Sequence, residues 1–320
     1  MGKQAVPNPT MLLDASFGEP EEMARVLEAH PDYRVLRRLV PIREYGRKRT
    51  GEIAKVLILD TETTGLDASK DRIIELALLL VDVDVQTGQP LQVLDVYDEL
   101  EDPGMPIPPD ALRVTGITDA MVAGKRLDEA RIAALMEGVT LVIAHNARFD
   151  RGFVEKRLPA FVHLPWACSL SEIDWSSQGR SSAKLEFLAH ELGWFYDAHR
   201  AEMDCHALLA VLAASLPNSR HAGETGLARL LEASRLHSFK LSATGSPFDS
   251  KDALRGRGYR WDAERKVWHT QLASQAELDA ECVWLKAHVY GTRTAQVDVE
   301  RLTALERFSG RSGTRDIVTL

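Results

Sequence analysis

The chain has little cysteine, no long apolar run and no repeat. Three cysteines, Cys168, Cys205 and Cys282, are scattered through 320 residues. They form no Cys-x-x-Cys pair and cannot all pair with one another, so a disulfide framework is excluded. Cys205 stands next to His206, but no second pair at finger spacing exists, which excludes a zinc finger. The cysteines read as reduced packing residues of a cytoplasmic protein. No stretch approaches the roughly 20 apolar residues of a membrane span, so no membrane partner is expected. Residues 1–20 are polar and broken by Pro7, Pro9 and Pro20, unlike a secretory signal, and Val6 stands where a myristoylation signal wants Ser or Thr. There is no low-complexity tract and no nucleophile turn of a serine hydrolase. A net charge of −8 argues against a protein held on nucleic acid by charge alone.

What is present is organised around Val56-Leu57-Ile58-Leu59-Asp60-Thr61-Glu62-Thr63-Thr64-Gly65-Leu66-Asp67. Four apolar residues ahead of a Thr/Gly turn read as a strand buried on both faces. Asp60 and Glu62 lie two apart, so they share a face at the strand end. Like charges there need a compensating partner, and a divalent cation is the natural one.

Residues 1–50 read as an extension. Positions 1–20 look loosely attached, Glu21 to His30 has helical spacing, and Tyr33 to Val40 forms a second short element. Between Pro31 and Thr50, Arg34, Arg37, Arg38, Arg43, Arg47, Lys48 and Arg49 face only Asp32 and Glu44. This basic arm suits either a phosphate-rich ligand or a solvated helix and linker. The first domain is expected over 51–218. Strands at Val56–Leu59, Ile73–Val81 and Leu91–Tyr97 make an antiparallel meander. Thr140–Ala144 and Trp166–Leu170 are later strands, alternating with helices at Asp150–Leu158, Ser182–Leu192 and His199–Ala214. Strands that first meander and then alternate with helices imply an α/β fold, a mixed five-stranded sheet with helices on both faces. A linker helix is expected over 219–238 and a small α+β accessory domain over 239–290, with a hairpin at Tyr259–Trp261 and Val267–His269. Residues 291–320 read as a tail without a motif.

Two further acids occupy suggestive places. Asp150 opens a helix just beyond a buried strand, where functional groups of α/β sheets gather. Asp204 follows His199 by five residues, which on one helix puts the imidazole and the carboxylate a little over one turn apart.

Asp60-x-Glu62, His145-Asn146-x-x-Phe149-Asp150 and His199-x-x-x-x-Asp204 together resemble the three exonuclease motifs of the DEDDh branch of the DnaQ-like 3′–5′ exonuclease superfamily. Thr63-Thr64-Gly65-Leu66 and Thr115-Gly116-Ile117-Thr118 also look like that family. Arg200 stands where the tyrosine branch has Tyr, so the histidine branch fits. The likeness covers about Glu52 to Leu216. It implies a ribonuclease-H-like fold and hydrolysis of a phosphodiester with two Mg²⁺ or Mn²⁺ ions. It also implies that Asp60 bridges both ions, that Glu62 and Asp204 hold the ion bearing the attacking water, and that Asp150 supports the other. Carboxylate oxygens suit these hard cations better than zinc. His199 would be the general base, a role histidine fills because it titrates near working pH. Backbone amides at Thr63 to Gly65 would meet the terminal 3′-hydroxyl, and Leu66 would wedge against the last base. Phe149 would touch substrate or pack in the core. Asn146 would order its loop, and His145 would support the site from behind.

The accessory segment interleaves aromatics with cations: Arg255, Arg257, Tyr259, Arg260, Trp261, Arg265, Lys266 and Trp268. Such a surface would stack bases and hold phosphates. Alternatively, Trp261 and Trp268 are a cross-strand core pair. Lys251 to Trp268 resembles a short module appended to some bacterial nucleases and primase-type proteins.

The expectation is a metal-dependent exonuclease that removes nucleotides singly from a free 3′ end, of DNA in preference to RNA. It would act in proofreading or repair, with any polymerase or repair partner on a separate chain. An RNA 3′-trimming enzyme of the same superfamily and a catalytically silent nucleic-acid adaptor are the alternatives.

Overall fold

Two apolar runs decide the first layer of the molecule. The computed structural model describes residues 19–219, 221 and 223–320, so the loose attachment expected of residues 1–20 lies almost wholly outside the described residues. Helix α1 (Pro20–Glu28) carries proline at its start and Glu21 and Glu22 in its first turn, both favourable there. The two-residue strand β1 (Arg37–Arg38) follows. Then β2 (Ile53–Thr63), β3 (Ile73–Asp84) and β4 (Gln89–Leu100) form the antiparallel meander. Short helices α2 (Pro109–Thr115), α3 (Asp119–Val122) and α4 (Glu129–Met136) lead to β5 (Val139–Ala144), parallel to β2. Helix α5 (Ala147–Arg157) returns the chain to β6 (Trp166–Cys168), parallel to β5. Helix α6 (Leu185–Glu191), strand β7 (Trp194–Phe195) and helix α7 (Ala201–Ala213) complete this part.

The sheet order β4-β3-β2-β5-β6 is the mixed, ribonuclease-H-like arrangement expected. Strand parity divides the core in two. Val56 and Ile58 pack with Leu188, Leu208 and Leu209 of α6 and α7. Leu57 and Leu59 pack with Ile132, Phe153 and Val154 of α4 and α5 on the other face. Cys205 and Cys168 lie buried in these two cores, as packing residues.

The helix expected as a linker belongs to the first core. Helix α8 (Gly226–Arg235) buries Leu227, Leu230 and Leu231 with the residues of α7. Gly88, at φ 62 in the β3–β4 turn, lies so close that a Cβ there would meet Ala228 Cβ at 2.3 Å. Thr225 caps α8 and donates from its hydroxyl to the Gly88 carbonyl at 2.7 Å. An amphipathic helix with a continuous apolar stripe finds a partner rather than bridging through solvent.

The second sheet comprises β8 (Ser238–Ser242), β9 (Arg260–Asp262), β10 (Val267–Leu272), β11 (Gln296–Leu302) and β12 (Thr314–Thr319), in the order β12-β11-β8-β10-β9. Helices α9 (Lys251–Gly256) and α10 (Gln275–Leu285) pack on it. Residues 291–320 are therefore no tail. Val297 and Val299 enter the second core while Asp298 and Glu300 alternate with them, the period of a half-buried strand. The connection between β11 and β12 then docks on the first sheet, where the Ala304 carbonyl accepts from Trp166 N at 2.8 Å and so covers the edge of β6.

Three of the seven cations of the basic arm are paired inside the chain. Arg34 donates to Glu191, Arg37 to Glu21 and Glu28, and Arg38 to Asp197. Strand β1 pairs in parallel with β7, fixing the arm beside the loop that leads to His199. Among the described residues, no helix is long and apolar enough to cross a membrane.

Candidate active site

The parity that sorts the core also builds the site. Asp60 and Glu62 continue the face of Val56 and Ile58, toward α7, which brings Asp204. Carboxylate oxygens of Asp60, Glu62 and Asp204 all lie within 4.8 Å of one another. Thr61 continues the opposite face, toward α5, and its hydroxyl donates to Asp150 Oδ1 at 2.9 Å. Helices on opposite faces of the sheet thus deliver Asp204 and Asp150 to one strand end. The β2–β3 register slips between Glu62 and Thr63, a bulge of the kind that re-aims side chains beside sites.

Burial and mutual repulsion push these acids toward their neutral forms. Asp60 is raised well above the usual carboxylate range by desolvation, then by the charges of Asp150, Asp204 and Glu62. Desolvation and the charge of Asp204 raise Glu62 to about 8. Asp150, 3% exposed, is pushed up to about 7 by burial, against the bond from Thr61. Asp204 is raised by burial although the Tyr196 hydroxyl donates to it at 3.0 Å. Arg200 is the cation that acts on Glu62, yet its guanidinium is committed to Glu75 at 2.8 Å. An all-oxygen donor set this close, with its charge so poorly offset, fits a hard divalent cation.

His199 does not sit on helix α7 as its spacing to Asp204 suggested. It precedes the helix with φ 64, a left-handed conformation uncommon for a residue with a Cβ, and is exposed. It still lies near enough to Asp204 for its charge to favour that carboxylate. Thr63 donates from its hydroxyl to the Gly65 carbonyl at 2.6 Å, closing the turn after β2. A Cβ at Gly65 would meet the Asp71 carboxylate at 2.5 Å, so a larger residue there would have to displace that side chain from its bonds to Asp67 N and the Thr64 hydroxyl. Leu66 projects from this turn, 88% exposed. Phe149 is half-buried against Phe153, with ring centroids 4.9 Å apart, and packs on the core. Asn146 is exposed at the start of α5 and its side chain makes no capping bond; its carbonyl orders the turn instead, accepting from Phe149 N at 2.7 Å. His145 is held behind the site. Nε2–H donates to the Ala183 carbonyl at 2.8 Å, so Nδ1 accepts from the Ser169 hydroxyl, and burial lowers the imidazole to about 4.

Four supporting residues escaped the sequence reading: Thr61, Glu75, Tyr196 and Arg151. Glu75 was legible in principle, as a lone carboxylate inside an apolar strand. It accepts from both the Arg200 guanidinium and Ala201 N, pinning the start of α7. Tyr196 and Thr61 left no comparable signal, since hydroxyls are common at strand ends.

A helix-flanked mixed sheet with an acid cluster at the end of its central strand defines a nuclease of the DnaQ-like class. The chain belongs to the exonuclease family whose model, RNase_T (Exonuclease), matches residues 57–212. It is 30% identical over 177 residues to DNA polymerase III subunit epsilon of Treponema pallidum, covering 52% of this chain and 78% of that protein. It is 37% identical over 117 residues to DNA polymerase III PolC-type of Listeria monocytogenes. That similarity covers 36% of this chain and only 8% of the polymerase's length. Among solved structures, Exonuclease X in complex with 5′ overhanging duplex DNA is 27% identical, with a TM-score of 0.38, covering 49% of this chain and 89% of that one.

Proposed function

We propose that this exonuclease is metal-dependent and removes nucleotides one at a time from the 3′ end of DNA. The observation that carries the proposal is the convergence of Asp60, Glu62 and Asp204 within 4.8 Å, with Asp150 joined to the same strand end through Thr61. Asp60, Glu62 and Asp204 would hold Mg²⁺ or Mn²⁺, with Asp150 supporting a second ion. When bound, the ions supply Lewis acidity to the phosphodiester and lower the pKa of water. His199, exposed at the rim beside Asp204, takes the proton from the attacking water. The Thr63–Gly65 turn presents backbone to the terminal 3′-hydroxyl, and Leu66 meets the last base. Tyr196 and Thr61 hold Asp204 and Asp150 in orientation through their hydroxyls. Similarity to a DNA polymerase III subunit supports DNA over RNA, and a polymerase or repair protein on a separate chain as partner.

The test is incubation with end-labelled single-stranded DNA and matching RNA, with Mn²⁺ or with chelator. Stepwise shortening of DNA from the 3′ end, in metal alone, is the expected result. Faster loss of RNA, shortening from the 5′ end, or cleavage in chelator would overturn it.

A further inference from the structure

The second sheet carries a strip of rings and cations that its own core does not use. Lys251 Nζ lies 4.3 Å from the centre of the Phe248 ring. Arg255 stands one turn further along α9, and its guanidinium is 5.9 Å from the Trp268 ring. Trp268 faces its cross-strand partner Trp261, with ring centroids 5.5 Å apart. Trp268 packs partly on the second core, which accounts for it. Packing does not account for Phe248 and Trp261, which are 77% and 51% exposed.

We propose that this strip, at the β9–β10 edge of the second sheet, is a stacking platform for single-stranded nucleic acid. Exposed rings alternating with cations are the pattern that stacks bases and holds phosphates. Residues 248–268 carry six Lys and Arg against four Asp and Glu in a chain of net charge −8. Arg257 and Arg265 are paired with Glu281 and Asp298, so the cations offered to a phosphate are Lys251 and Arg255 beside the rings. Arg255 is paired with Asp252 at 3.5 Å, but both are exposed, and such a pair yields readily to a phosphate. A duplex hides its base faces, so the rings select an unpaired strand. The choice of ligand rests on the proposed nuclease function, whereas the geometry of the strip does not. The opposite side of the second sheet is anchored to the nuclease sheet by the β11–β12 connection. Three strand spacings, about 14 Å, separate β11 from β9.

The test uses the full chain in chelator, with anisotropy of a labelled oligothymidine of about 16 nucleotides, the upper site size of single-strand-binding folds. Trp261→Ala is expected to weaken binding about tenfold, and Trp261→Phe to restore part of the loss. The pair Lys251→Glu and Arg255→Glu is expected to weaken binding and flatten its salt dependence. Hydrolysis of thymidine 5′-monophosphate p-nitrophenyl ester with Mn²⁺, a probe too small to reach the platform, should be unchanged in every variant. Variants that bind the oligonucleotide as the parent does would overturn the platform. Equal binding of a duplex, equally weakened, would overturn its single-strand assignment. A parent that binds the oligonucleotide through these residues but cleaves no ester would support the platform and count against the nuclease proposal alone.

Discussion

Arg151 donates to the carbonyl oxygen of Arg307 at 2.6 Å, and this bond ties the helix carrying Asp150 to the connection that docks the second sheet. The same guanidinium, fully buried, also donates to the carbonyls of Ala304 and Leu305 and to Glu155. Arg307 in turn pairs with Glu172 and donates to the carbonyls of Ala233 and Leu236. Two arginines therefore tie α5, α8 and the β11–β12 connection together.

Replacing Arg151 with Met keeps the volume but removes three bonds to carbonyls and leaves the Arg307 carbonyl without its donor, while the Ala304 carbonyl keeps Trp166 N and the Leu305 carbonyl keeps Arg311. The expected loss is about 3 kcal/mol of unfolding free energy, read by urea denaturation. Arg151→Lys should recover less than half of it, because one ammonium cannot reproduce the planar fork. DNA cleavage should fall with stability in the Met variant, since Asp150 is the next residue on the helix. A Met variant as stable as the parent would show that the connection rests on α5 without bracing it.

The acid cluster predicts a reversed pH dependence for the metal-free protein. Glu62 moves from 4.5 to about 8 on folding and Asp150 from 3.8 to about 7, both raised first by burial. Between those values the folded state holds protons that the unfolded state has released, so stability falls as pH rises. Melting temperature in chelator should therefore drop from about pH 5 to about pH 8, and saturating Mg²⁺ or Mn²⁺ should remove most of that slope. A flat profile in chelator would mean that the four carboxylates are not crowded.

What the sequence disclosed and what it hid follow from the range of the forces involved. The strands β2, β3 and β5 are legible because each is a run of apolar residues whose pattern is local. Asp60, Glu62, Asp150 and Asp204 are legible because their chemistry is tied to strand and helix ends. The left-handed turn at His199 was hidden, because the chain there is shaped by the Arg200–Glu75 pair across 125 residues. The role of residues 291–320 was hidden for a similar reason. Val297 and Val299 alternate as a strand should, but only the distant partner β8, where Leu241 stands opposite Val299, makes the alternation meaningful. The pairing of the basic arm was hidden where its partners Glu191 and Asp197 lie 157 and 159 positions away, although Arg37 finds Glu21 and Glu28 within 16 and 9.

Asp60→Asn separates stability from catalysis. Asp60 is raised by desolvation and by four neighbouring acids, Asp150, Asp204, Glu62 and Glu75, so removing its charge relieves repulsion. The variant should be more stable than the parent in chelator, by on the order of 1 kcal/mol, and should gain less from added metal. DNA cleavage should drop by at least about a hundredfold. Calorimetry with and without Mn²⁺, beside a cleavage assay, reads both effects. A variant that cleaves normally would remove Asp60 from the proposed ligand set.

Glu75 fixes the segment that leads into α7 from inside β3. Its carboxylate is buried inside β3 and accepts from Arg200 Nε, Arg200 Nη2 and Ala201 N. Ala201 opens α7, and His199 hangs just ahead of it in a conformation its own Cβ disfavours. Without the full charge at position 75, Arg200 loses its clamp and the turn relaxes. Glu75→Gln should lower kcat about tenfold with KM little changed, because substrate still meets the acid cluster while the imidazole is less often in place. Stability should fall by only about 1 kcal/mol, since the Arg200 guanidinium is half-exposed and finds water. Glu75→Asp, which keeps the charge but shortens its reach, should fall between parent and Gln in kcat. Equal loss in kcat and in Tm across both variants would instead mark Glu75 as a packing residue alone.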